Sequence, residues 1–166
     1  MKHRIGARGI LIDATDRILL VLEQITPGED EFWVLPGGRL EAEDGSLVEC
    51  VRREFREETG LTVEVGPLFY VQEFSEPSRQ THHLGMFFLV HSPEGDLHET
   101  NPEEPLQGAA LRRHVRWFTQ AELQTLRVYP EELRDGFWRD RVAGTTPVQY
   151  LGVKHEEKNT MTYRVG

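Results

Sequence analysis

The 166-residue sequence predicts a mixed α/β fold of the α+β kind, built as one domain. Three observations carry that expectation. Short apolar runs bounded by turn residues fill most of the first ninety positions and read as strands. One segment, residues 47–59, has helical periodicity with a start and a stop signal. Further short helix signals come only after most of the strands, an order that suits an α+β arrangement. No repeat, low-complexity tract or linker divides the chain. Apolar residues at 38% and charged residues at 28% exclude disorder as the main state.

The elements follow in order. Ile10-Leu11-Ile12 and Ile18-Leu19-Leu20-Val21-Leu22 are apolar runs split by Asp13-Ala14-Thr15-Asp16, two strands joined by a tight turn. Phe32-Trp33-Val34-Leu35 is a third strand, stopped by Pro36-Gly37-Gly38. Long strands are expected over Thr62–Phe74 and His83–His91, with Ser75–Thr81 a polar loop between them. Residues 92–110 carry Pro, Gly and acids and read as a surface loop. His114–Phe118 is a short strand, and Thr119-Gln120-Ala121-Glu122 has the form of a capping box that opens a helix. Pro130–Asp140 reads as a second short helix with Pro at its start, and Val148–Val153 as a closing strand. The domain is expected over 1–153, with 154–166 a polar tail.

Charge is unevenly placed. The net −9 comes from 19 basic and 28 acidic residues. Residues 41–60 hold a net −4 and residues 94–104 a net −5, so two short segments contain the whole excess. That sign disfavours a nucleic-acid polymer or an anionic membrane surface as partner. Cys50 is the one cysteine, which excludes an intrachain disulfide and a cysteine zinc cage. No apolar run approaches the ~18 residues of a membrane helix. The N-terminal stretch lacks the apolar core of a signal peptide, so a reducing cytoplasm is the expected compartment.

The helix over 47–59 begins on Ser46-Leu47-Val48-Glu49, again capping-box in form, and stops at Gly60. Leu47, Val48, Val51 and Phe55 make an apolar stripe. Glu54, Glu57 and Glu58, at i, i+3 and i+4, share one face beside it. Like charges at that spacing repel, and anions in a last turn meet the negative end of the helix dipole. Two readings stand. One is a solvated acidic face partly neutralised by Arg52, Arg53 and Arg56. The other is a shell for a hard divalent cation, which takes oxygen ligands.

The wider segment Gly38-Arg39-Leu40-Glu41-Ala42-Glu43-Asp44-Gly45-Ser46…Arg53-Glu54-Phe55-Arg56-Glu57-Glu58-Thr59-Gly60-Leu61 resembles the Nudix box, G-x5-E-x7-R-E-U-x-E-E-x-G-U. From Arg53 to Leu61 every specified position matches. Leu35-Pro36-Gly37-Gly38 and Trp117-Phe118 also resemble that superfamily, so the likeness spans roughly residues 5–125. One departure matters: where the pattern places its first glutamate the chain has Gly45, with one extra residue after Gly38. Asp44 or Glu43 is the candidate replacement.

The resemblance implies a Nudix-type α/β/α sandwich around a central mixed sheet. It also implies an enzyme of the MutT type, hydrolysing a nucleoside diphosphate linked to another group with Mg²⁺ or Mn²⁺ as cofactor. Glu54, Glu57, Glu58 and the Gly37 carbonyl are then the metal ligands, with Glu57 doubling as base and Arg53 orienting Glu54. Glu103 and Glu104, with Glu99 behind them, are candidates for an accessory base from the loop before the Trp117 strand. Gly38, Arg39, Phe74 and Arg112 are candidates for contact with a small nucleotide substrate. ADP-ribose or a sugar nucleotide leads over nucleoside triphosphates and dinucleoside polyphosphates. Its support is Pro77, whose spacing beyond Leu61 is similar to that of ADP-ribose pyrophosphatases.

Plainer readings stand beside these. The run Arg112-Arg113-His114-Val115-Arg116 is either a phosphate grip or a surface turn paired with the acids of 94–104. Phe32, Trp33, Phe69, Tyr70 and Phe74 lie in reach of a base pocket, though strand aromatics are mostly core. His82, His83, His91 and His98 lack the i, i+4 spacing of helical metal ligands. The alternative function is a non-catalytic, nucleotide-binding regulatory domain, which retention of all three helix carboxylates disfavours. An isomerase using Cys50 is disfavoured by its place in the helix. Monomer and homodimer are both compatible with the sequence.

Overall fold

The computed structural model describes residues 1–26, 29–103, 113–143 and 147–155. In chain order the strands and helices are β1 (Lys2–Ile10), β2 (Arg17–Thr26), β3 (Glu29–Val34), β4 (Gly37–Arg39), α1 (Leu47–Thr59), β5 (Thr62–Glu76) and β6 (Thr81–Glu94). They continue with β7 (Val115–Thr119), α2 (Gln120–Leu123), β8 (Val128–Tyr129), α3 (Gly136–Val142) and β9 (Gln149–His155). The mixed character expected of the chain is present, and the strands divide into two sheets. One has the order β4-β1-β6-β5-β9, the other β7-β2-β3-β8. In the first, β1 runs parallel to β6 and antiparallel to β4, while β5 is antiparallel to β6. No helix among the described residues is long and apolar enough to cross a membrane.

Local chemistry explains most boundaries. The β1–β2 turn is held by Asp13, whose Oδ1 accepts the N–H groups of Thr15 (3.0 Å) and Arg17 (2.9 Å). Helix α1 spans the residues expected of it. Ser46 Oγ accepts the Glu49 N–H (3.1 Å), and Gly60 ends the helix at φ +76°, donating to the Arg56 carbonyl (3.1 Å). The box at this end is only half closed, because the Glu49 carboxylate pairs with Arg52 (2.9 Å) instead of returning to the cap.

Three expectations change. β1 begins eight residues before Ile10, because its pairing with β6 holds even polar residues such as Lys2 and His3 in register. The segment Ser75–Thr81 is not an open loop. β5 runs to Glu76, a 3₁₀ turn covers Pro77–Arg79, and β6 resumes at Thr81. Pro77 suits the first position of such a turn because its φ is already fixed. The expected helix over 130–140 is broken into a 3₁₀ turn at Glu131–Leu133 and α3, since Asp135 adopts a non-helical φ of −137° before Gly136. Thr119 and Glu122 do form a reciprocal capping box, yet α2 lasts only four residues.

Two apolar clusters sit on opposite faces of the first sheet. α1 lays Cys50, Val51 and Phe55 against Ala7, Phe88 and Val90. The other cluster gathers Ile10, Leu20, Trp33, Tyr70, Phe87, Phe118 and Phe137. Phe32, Trp33, Phe69 and Tyr70 are buried, so the core reading holds for these aromatics. The approach of α1 to β1 depends on Gly9, where an added Cβ would lie 2.4 Å from the Phe55 ring. Gly9→Ala is therefore expected to lower stability in urea unfolding by about 1–3 kcal/mol through overpacking. Gly45→Ala, with nothing within 4 Å of an added Cβ, is expected to stay within about 0.5 kcal/mol of the parent.

Candidate active site

The site grows from the C-terminal half of α1 and the strands it faces. Because Val51 and Phe55 point into the core, helical spacing carries Glu54 and Glu58 to its margin, 8% and 2% exposed. Glu57, one step round, is half-buried.

Glu58 is held from two sides. Its Oε1 accepts the Gly37 backbone N–H (2.8 Å) and its Oε2 faces Arg113 Nε (3.1 Å). Gly37 can deliver that N–H because it has no side chain. Its φ is +149°, and a Cβ there would lie 2.3 Å from the Ala7 carbonyl oxygen. Burial pushes the Glu58 carboxyl up to about 7, against the pull of Arg113, Arg8 and the Gly37 N–H. Glu54 is also raised, first by burial and further by the charge of Glu57, with Arg53 opposing.

Arg53 organises the other side. Its Nε and one terminal nitrogen bind the two oxygens of Asp44, both at 2.8 Å, in a bidentate fork. The remaining nitrogen reaches Glu54 Oε1 (2.9 Å) and Glu57 Oε2 (3.4 Å), and the Arg39 carbonyl accepts a further bond (3.1 Å). Asp44 thus pairs with the box arginine beside the position where Gly45 stands, and Arg53 holds its carboxyl down at about 2. Glu43 is exposed.

Buried charges that sequence reasoning missed complete the arrangement. Arg8, enclosed on β1, donates to the Leu35 carbonyl (2.6 Å) and lies 3.9 Å from Glu23. Glu23, buried at the end of an apolar run on β2, pairs with Arg113. The available signal was a charge set inside an otherwise apolar strand, at Arg8 between Ala7 and Gly9 and at Glu23 after Leu22.

The remaining candidates separate. Gly38 is buried, and its carbonyl lies 3.7 Å from Cys50 Sγ. Arg39 is exposed and meets the site through its carbonyl. Phe74 is half-buried, its ring tilted against His83 at 5.8 Å. Glu103 is exposed, with its backbone N–H on Asn101 Oδ1 (3.1 Å). Glu99 is engaged structurally, its Oε1 accepting the Trp117 N–H on β7 (2.7 Å). Glu104 and Arg112 lie outside the described residues. In the basic run it is Arg113 that carries the ion pairs, to Glu23 and Glu58. Cys50 is buried and its thiol is pushed up to about 12 by that burial, which leaves it unreactive.

The donor set fits a hard divalent cation. It consists of carboxylate oxygens, two of them withdrawn from water and displaced toward their neutral forms, a condition that a nearby cation relieves. Among the described residues no three such side chains yet converge on one point. Arg53 and Arg113 engage them instead.

Asp44 generates a stability prediction. A carboxyl lowered in the folded state stabilises above its unfolded value near 4 and loses that contribution as pH falls toward 2. Asp44→Asn is expected to cost about 2 kcal/mol at pH 7 by chemical denaturation. The gap to the parent should close between pH 4 and 2. A gap independent of pH would contradict the pairing.

Comparison with known proteins bears on this geometry. The NUDIX domain family matches residues 2–136. No curated protein matches the chain. Among solved structures, the chain is similar to the E. coli ORF135 protein at 21% identity, covering 89% of this chain and 96% of that one, with a TM-score of 0.67. It is also similar to the MutT protein from Bacillus halodurans at 23% identity, with coverages of 95% and 93% and a TM-score of 0.66. A Streptococcus suis ADP-ribose pyrophosphatase gives 16% identity, coverages of 91% and 98%, and a TM-score of 0.54. With the fold shared and the family match spanning most of its length, the chain belongs to the NUDIX family, the Nudix hydrolases.

Proposed function

We propose that the protein hydrolyses a phosphoanhydride bond in a nucleoside diphosphate linked to another group, in a reaction that depends on Mg²⁺ or Mn²⁺. The observation that carries this reading is the pair of enclosed carboxylates, Glu54 and Glu58, with Glu57 beside them and Gly37 at their edge. Glu54, Glu57, Glu58 and the Gly37 carbonyl are the groups that would hold the cation. When bound, it would offset the repulsion between substrate phosphates and these carboxylates and acidify water.

The chain's own residues supply the rest. Arg53 fixes the carboxylates of Glu54 and Glu57 through one nitrogen while Asp44 locks the opposite edge of the guanidinium. Glu57, the least enclosed of the three, is the residue assigned here to accept a proton from an attacking water. Glu103 and Glu104 are the accessory candidates for that task. Gly38, Arg39, Phe74 and Arg112 are assigned to substrate contact. Phe74 borders a cavity of about 20 Å³ lined also by Arg8, Gln72 and His83, a volume suited to one water.

ADP-ribose or a sugar nucleotide leads the substrate order, ahead of nucleoside triphosphates and dinucleoside polyphosphates. The 3₁₀ turn gives Pro77 a structural task of its own, so its spacing is modest support. The proposed compartment is the cytoplasm. A regulatory, non-catalytic domain would have no need to keep three carboxylates against two arginines at this cost in burial.

The test is monophosphate release from a nucleotide panel, with Mg²⁺, Mn²⁺ or chelator. Product is expected only with metal. Glu54→Gln and Glu58→Gln should each lower kcat by about a hundredfold or more, with unchanged circular dichroism. Near-parental rates for both variants would remove the metal-site assignment. Binding without turnover across the panel would favour the regulatory reading.

A further inference from the structure

Glu58 is the most enclosed carboxylate of α1, and both of its oxygens are engaged. The two partners differ in their freedom. Gly37 presents its N–H from β4, packed so closely on β1 that even a Cβ is excluded. Arg113 approaches Oε2 on a long side chain that is 25% exposed. Its guanidinium also pairs with Glu23, which is flanked by Arg8. It can therefore leave Glu58 and keep a carboxylate partner.

A divalent cation that takes up Glu58 through Oε2 meets this guanidinium at the same oxygen. Two cations on one carboxylate oxygen repel, strongly so at a buried position. Resting on the metal-dependent reading above, we propose that Arg113 is a placeholder cation. It neutralises Glu58 in the metal-free protein and is displaced toward Glu23 as the divalent ion enters. Metal affinity is then set by competition with the chain's own arginine. An arginine that merely oriented Glu58 would have the opposite signature, since its removal would weaken metal binding.

The experiment is a Mn²⁺ titration of the full chain, read by the electron paramagnetic resonance signal of free aqueous Mn²⁺ and needing no turnover. Arg113→Gln is expected to bind Mn²⁺ about tenfold more tightly than the parent. Arg56→Gln removes the same charge from an exposed position in the last turn of α1 and should change affinity by less than about twofold. Arg113→Lys keeps a charge without the planar fork and should fall between parent and Gln, which preserves the test if Arg113→Gln folds poorly. Thermal unfolding adds a second reading: the Mn²⁺-induced rise in Tm should be larger for Arg113→Gln than for the parent. Unchanged or weaker Mn²⁺ binding in both Arg113 variants overturns the placeholder role, as does equal tightening in Arg56→Gln. A parent that binds no Mn²⁺ overturns the metal reading itself, which distinguishes the two failures.

Discussion

The Glu58 carboxylate, with 2% of its side chain exposed, is withdrawn from the water that would otherwise solvate its charge. It persists there because Gly37 donates a backbone N–H and Arg113 supplies a positive charge. Much of the surrounding structure answers to that requirement. β4 must run close against β1, which only a glycine at 37 permits, and α1 must present its last turn to that edge. Arg8 and Glu23 are enclosed because they complete the charge balance around Arg113. Burial still leads, pushing the carboxyl up to about 7 against the pull of Arg113, Arg8 and the Gly37 N–H.

Arg53 is the matching constraint on the open side. Its planar fork has room for one bidentate partner and for contacts along its remaining edge. It gathers Asp44, Glu54 and Glu57 into one group. This also explains how the chain accommodates Gly45. The extra residue after Gly38 lets Asp44 turn back to the arginine from one position earlier, supported by its own Oδ2 accepting the Glu41 N–H (2.9 Å). The two arginines therefore divide the acidic helix between them. One orients carboxylates laterally and the other covers the most buried of them.

Much of this was legible in the residues, and the legible parts share a cause. α1 was readable because its cap, its apolar period and its terminating glycine are all local signals that agree. The turn at Asp13 and the box at Thr119 were readable for the same reason. The hairpin through Pro77 and the break at Asp135 were not, because the pairing of long strands and a single non-helical φ decide them. At the site, spacing alone placed three glutamates on one face, while their unequal burial is a tertiary property. Arg8 and Glu23 lie far from the box in sequence, and only the approach of β1 and β2 brings them to it.

In the proposed function, the carboxylates of α1 form a cation site whose ligands are partly engaged by Arg53 and Arg113. Anomalous diffraction from crystals grown with Mn²⁺ tests it most directly. An anomalous peak is expected within ligating distance, about 2.0–2.6 Å, of oxygens from Glu54 and Glu58. In the same crystals the Arg113 guanidinium is expected to have left Glu58 Oε2 and to remain on Glu23. A peak elsewhere, or Mn²⁺ bound with the Arg113–Glu58 pair intact, would contradict it.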